Sequence, residues 1–149
     1  MSAPLTFQVV LDCADPHELA RWWAETLAWS MEPTDEEFIR RMIAEGYATE
    51  DDTRTWRDQL WWATGAAIVQ PDPPDGGACR RILFQKVPEE KAGKNRVHLD
   101  LRAVTDSDGL DAIRDRLLGR GATFLHEGSE GPHRWYTMAD PEGNEFCIT

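Results

Sequence analysis

The chain has 149 residues, of which 41% are hydrophobic and 29% charged, a balance that suits one globular domain with a sizeable core. Its net charge of −11, from 27 acidic against 16 basic side chains, repels phosphate backbones and argues against a nucleic-acid partner. No stretch approaches the run of about 20 apolar residues that a membrane span requires.

Residues 1–5, Met-Ser-Ala-Pro-Leu, have neither a basic nor an apolar leader region, so secretion is not expected. Cys13, Cys79 and Cys147 are odd in number and widely spaced. They point to reduced thiols and a cytoplasmic setting, not to a disulfide scaffold. Seven tryptophans are an unusual load, and indoles both build cores and line pockets for flat ligands.

Residues 5–13 read as a strand with Phe7, Val9 and Leu11 on one face. Asp15 and Pro16 open a helix as N-cap and first helical residue. Leu19, Trp22, Trp23 and Leu27 give that helix an apolar stripe, which makes both indoles core. Residues 29–32 suit a short strand. From residue 34 the texture changes to an insert of about residues 34–62: an amphipathic helix over 35–45, closed by Gly46, then a helical segment over 51–59 that runs into Trp61 and Trp62. Adjacent indoles on a strand face opposite sides, so one of that pair can face the core and the other a ligand or a partner subunit. Residues 66–70 and 80–87 are strands, separated by a Pro- and Gly-rich loop.

Residues 88–94 form a polar connector. The strand after it, residues 96–102, alternates Val97, Leu99 and Leu101 with His98, Asp100 and Arg102. An imidazole, a carboxylate and a guanidinium in one row fit either a solvated face or the lining of a polar cavity. Residues two apart on a strand face lie about 7 Å apart, which would couple His98 to Asp100 only through water or substrate. A helix over 106–118 follows, then strands over 122–126, 133–139 and 145–149. A loop is expected at 128–132 and a turn at Asp140-Pro141-Glu142-Gly143-Asn144. His126 and His133 flank loops and are expected at the surface.

Each half therefore reads as strand, helix, then three strands. Setting Gln8 against His98 lays Asp12 over Arg102, and Phe84-Gln85 falls over Phe146-Cys147. A repeat with matching polar positions implies two related sheets with a cavity between them.

The Val-His-Leu-Asp strand and the terminal Asp-Pro-Glu-Gly-Asn-Glu-Phe resemble the vicinal oxygen chelate superfamily. Leu11-Asp12-Cys13-Ala14-Asp15-Pro16 and the Trp-rich helix resemble its actinobacterial glyoxalase-like, bleomycin-resistance-like branch. The resemblance implies an α+β fold in which two βαβββ modules pair into a U-shaped cup within one domain. The modules span about residues 5–87 and 95–149, and relatives often form homodimers. It also implies four metal-ligand positions, which fall here on Gln8, Gln85, His98 and Cys147. Two positions where relatives carry carboxylates thus hold an amide and a thiol. Hard divalent ions would bind such a set weakly, whereas imidazole with thiolate suits zinc.

Two readings follow. In the first the protein binds a small aromatic or cationic molecule without a catalytic metal, through Gln8, Asp12, Trp61, Trp62, Gln85, Arg102, Trp135, Tyr136 and Cys147. In the second it is a lyase or isomerase, using a divalent metal or His98 and Asp100 as acid and base. Glyoxalase I activity is not expected, because the carboxylate that serves there as base is replaced by Cys147.

Overall fold

The computed structural model describes residues 1–73, 75–103 and 107–149, and the chain divides into two units, Met1–Glu90 and Lys91–Thr149.

In the first unit, strand β1 (Val9–Cys13) leads into helix α1 (Pro16–Leu27). The Asp15 side chain accepts from the Glu18 N–H as the N-cap, and Ala28 closes the helix in the left-handed conformation. Strand β2 (Ser30–Met31) is followed by the insert. This comprises helix α2 (Glu36–Ala44), capped by Asp35, and a hairpin of β3 (Thr53–Trp56) and β4 (Gln59–Trp62). Strands β5 (Gly65–Val69) and β6 (Arg81–Lys86) complete a sheet of order β1-β6-β5-β2. β1 runs parallel to β6 and the other pairs are antiparallel. Leu19, Ala20 and Trp23 of α1 are buried, as are Ala66, Ile68, Ile82 and Phe84 of the sheet.

The second unit repeats this plan. Strand β7 (Leu99–Leu101), helix α3 (Ser107–Gly119) and strands β8 (Thr123–Glu130), β9 (His133–Ala139) and β10 (Glu145–Ile148) give the order β7-β10-β9-β8. Again the first strand is parallel to the last. Leu110 and Leu117 of the helix are buried, with Tyr136, Met138, Phe146 and Ile148 of the sheet. The fold is α+β, with two four-stranded sheets of the same order.

Four expectations are corrected. The helical segment over 51–59 is instead the β3–β4 hairpin. Arg57 and Asp58 both adopt positive φ, 51° and 63°, the two-residue turn that matches strand twist. Residues 5–8 lie outside β1, whose ladder opens at Val9 opposite Ile82, so Leu5 and Phe7 are 97% and 93% exposed. β7 likewise starts at Leu99, which leaves Val97 81% exposed. The loop expected at 128–132 is mostly strand, since β8 pairs with β9 as far as Glu130 opposite His133. Of the helix expected over 106–118, Asp106 lies outside the described residues.

The ladders also correct the internal alignment. Gln85 pairs with Asp12, and Cys147 pairs with Asp100. Laying Phe84 over Phe146 therefore puts Asp12 over Asp100, two residues from the alignment that set it against Arg102.

Candidate functional site

The second sheet carries a polar row on one face. Asp100 on β7 faces Cys147 on β10, Cys147 faces Thr137 on β9, and Thr137 faces His126 on β8. All four border a groove of about 420 Å³. The opposite face of the same strands supplies Tyr136, Met138, Phe146 and Ile148 to the core, as strand alternation requires.

His98 joins this row from just outside the strand. Its Nε2 lies 3.3 Å from Asp100 Oδ1, so the two side chains bridge the backbone spacing of about 7 Å between residues two apart and meet directly, without water or substrate between them. Cys147 is buried, with its Sγ 3.4 Å from Thr137 Oγ1. The ligand atoms of His98, Asp100 and Cys147 lie within 4.8 Å of one another.

Lys94 and Glu145 also line the groove. Glu145 accepts from the Asn95 backbone N–H and from Lys91 Nζ, each at 3.1 Å. Burial opposes its charge, but these two donors hold its carboxyl below the usual range. Asn95 in turn donates to Asn144 Oδ1 at 3.3 Å. Asn144 is fixed by the buried Asp140 carboxylate, which accepts from the backbone N–H groups of Glu142 and Asn144 and from the Asn144 side chain. The Asp140–Asn144 turn thus tethers the chain just ahead of His98.

Trp135 forms a wall of the groove. Tyr136 does not: it points to the helix side, donates to Asp111, and is flanked by Arg114 and Arg134 at 5.0 and 4.9 Å from its ring. The Asp111 hydrogen bond pushes the phenol pKa up. Arg102 is exposed beyond the end of β7 and is not part of the groove lining.

The remaining expected site residues belong to the first unit. Asp12 and Gln85 face each other across β1 and β6, both exposed. Gln8 precedes β1, and its Oε1 accepts from Arg81 Nη1 at 3.0 Å. Trp61 and Trp62 do point to opposite sides of β4. Trp61 is buried against Trp56 and His17, with ring centroids 5.6 and 5.4 Å away, while Trp62 meets Phe38 of α2 edge-on at 6.5 Å. Both indoles border a separate groove of about 360 Å³ in the first unit.

Sequence reasoning missed His126 as a groove residue. Alternation puts it on the side of Phe124, yet β8 shifts register between these two residues. A bulge inserts one residue and turns the following side chains over, so Phe124 lies opposite Met138 while His126 lies opposite Thr137. His17, fully buried beside Arg54, was also missed.

The glyoxalase-like domain family model matches residues 8–149. No curated protein sequence matches the chain. Several solved structures share the fold. A Mn(II) complex of a mutant fosfomycin resistance protein FosX from Listeria monocytogenes, holding 1S,2S-dihydroxypropylphosphonic acid, is 11% identical with a TM-score of 0.61, covering 99% of this chain and 92% of that one. A possible glyoxalase from Bacillus cereus is 15% identical over 95% of both chains, TM-score 0.57. A glyoxylase/bleomycin resistance protein/dioxygenase domain from Frankia sp. EAN1pec is 16% identical, covering 99% of this chain and 97% of that one, TM-score 0.55.

Proposed function

The chain belongs to the glyoxalase-like domain family, within the vicinal oxygen chelate superfamily, and from that premise we propose that it binds a small molecule in the groove of its second unit. The observation that carries this reading is the polar row from Asp100 to His126 with an indole wall beside it. A groove of about 420 Å³ falls within the range of small-molecule sites, roughly 300–1,000 Å³. The ligand lays an aromatic or apolar part on Trp135, a contact worth about 0.5–1.5 kcal/mol beyond area burial. Its cationic or hydrogen-bonding head meets Asp100 and His98. In this reading the ligand's head meets His98 and Asp100, themselves in contact at 3.3 Å, directly and with no metal between.

One observation favours a second reading, a lyase or isomerase with a metal. An imidazole, a carboxylate and a thiol converge within 4.8 Å, a donor set that fits zinc better than the oxygen-seeking Mn(II). His98, Asp100 and Cys147 would hold the ion, which when bound supplies Lewis-acid polarisation of a substrate oxygen. Without it, His98 remains the residue placed to move a proton, with Asp100 fixing its tautomer.

Metal analysis and ligand screening separate the two. Protein purified without added metal is expected to carry well under one equivalent of Zn, Ni, Mn or Fe, and Trp135→Ala to weaken a screened ligand several-fold. Stoichiometric metal that disappears in His98→Ala replaces the first reading with the second. A homodimer belongs to this proposal as well. Leu5, Phe7 and Val97 are exposed apolar side chains that a second copy would cover, and a monomer in light scattering at micromolar concentration removes it.

A further inference from the structure

Gly128 and Trp135 are direct cross-strand partners on β8 and β9. A Cβ built on Gly128 would lie 2.3, 2.4 and 2.5 Å from Trp135 Cε2, Cζ2 and Nε1. Real atoms do not approach so closely, so the indole occupies the space that a side chain at 128 would need. The backbone at Gly128 has no positive φ; space, not conformational freedom, is what the glycine supplies here.

The indole therefore reaches across from β9 and rests over β8, backed by main chain. We infer that Gly128 is the specificity-determining residue of the groove: by letting Trp135 lie over β8, it makes the groove a slot for planar, fused-ring ligands. This rests on the proposed small-molecule site. A side chain at 128 would lift the indole off the strand and so shift the wall that Trp135 gives the groove. The ligand class follows from the two ends of the slot. An indole wall stacks with flat aromatic rings, while the Asp100 carboxylate, half-exposed beyond Cys147, favours a ring system that carries positive charge.

The alternative is a purely structural pair, in which the indole merely covers a glycine in the sheet. Proflavine, a planar three-ring cation, and benzamidine, a single-ring cation, tell these apart by fluorescence titration and competition. Fluorine NMR of protein labelled with 5-fluorotryptophan, with the Trp135 signal assigned by its loss in Trp135→Phe, follows the indole without any ligand. Gly128→Ala is expected to shift the Trp135 signal selectively and to weaken proflavine at least tenfold, while benzamidine stays within twofold. Unchanged proflavine binding in Gly128→Ala, whether or not the signal shifts, overturns the inference and leaves the binding site standing. If wild-type protein binds neither probe, the proposed site fails and the slot fails with it, even where the signal shifts. Should Gly128→Ala not fold, Trp135→Leu decides. Loss of the preference for proflavine over benzamidine supports the slot, and its retention overturns it.

Discussion

The two sheets share one strand order and differ most at one edge. In the first unit the edge strand β2 has two residues, and the chain then departs into the insert. In the second the corresponding strand β8 has eight, and it carries a bulge, His126 and Gly128. The row that reads Asp12, Gln85, Gly65 in one sheet reads Asp100, Cys147, Thr137, His126 in the other. The apolar face that meets the helix is alike in both, because burial constrains it. The other face is not so constrained, and there the two copies have taken different chemistry.

The units also differ in what pins them. The first relies on aromatic packing, with Trp23 1% exposed under its sheet. The second has the polar Asp140 turn. Trp23→Ala should cost about 3–5 kcal/mol through the cavity it leaves. Asp140→Ala should cost less, about 2–3 kcal/mol, for donors left without their acceptor. Urea midpoints measure both, and the reverse order would show that the polar turn, not the indole, is the stronger pin.

Next comes a pH effect confined to the first unit. His17 is fully buried beside Trp56 and Trp61, and its Nδ1 lies 3.3 Å from Arg54 Nη1. Burial, and then the Arg54 charge, lower its pKa; Asp15 and Glu18 act the other way but do not reverse this. The folded state thus binds fewer protons than the unfolded chain, and stability should fall as pH drops below about 6.5, the unfolded value. Asp15 and Glu18 are themselves held below the usual carboxylate range: for Asp15 burial is the largest influence and opposes this, but the Arg54 hydrogen bond, the Glu18 N–H and the Arg54 charge together outweigh it, and for Glu18 the Trp56 indole leads. Their contribution is lost only in stronger acid, below about pH 4. Unfolding midpoints between pH 7.5 and about 5 should therefore slope in wild type and flatten in His17→Asn. An equal slope in both would assign the effect elsewhere.

The smallest effect belongs to the insert's surface. Arg40 pairs with Glu36 at 3.4 Å on exposed α2, and Arg40→Ala should change stability by no more than about 0.5 kcal/mol. A larger loss would mean that α2 is held by its charges and not by its buried Ile39.

Much of the fold is legible in the sequence because its signals are local. The Asp15-Pro16 cap, the Trp22-Trp23 stripe and the Asp140–Asn144 turn each follow from neighbouring residues. Two of the misreadings originate in the two-residue period of a strand. A register error of two leaves every side chain on its proper face, so no alternation pattern could reveal that Asp12 corresponds to Asp100 and not Arg102. A bulge does the opposite: it changes the face without changing the composition, which hid His126. The hairpin at 53–62 went unread because its turn uses Arg57 and Asp58 where glycine or asparagine would have announced it. Within the site, His98, Asp100, Cys147 and Trp135 were legible as polar or aromatic residues on candidate strands. Their direct contacts were not, since they depend on side-chain rotamers, which no alternation pattern carries.

The insert between β2 and β5 bears on how the chain finds its fold. Closing the parallel pair β1–β6 joins residues about 70 apart, whereas β7–β10 joins residues about 50 apart. Loop-closure entropy grows only with the logarithm of length, so the longer excursion costs about 0.3–0.4 kcal/mol more. One buried methylene group, at about 0.8 kcal/mol, would offset it. Loop closure is therefore a minor part of what an insert at that junction costs: ordering its helix and hairpin, at about 1–2 kcal/mol per residue, is the larger part and has to be offset by apolar surface that the segment buries itself. Trp56 and Trp61, buried against α1's first turn, are the largest side chains that the insert contributes to that burial.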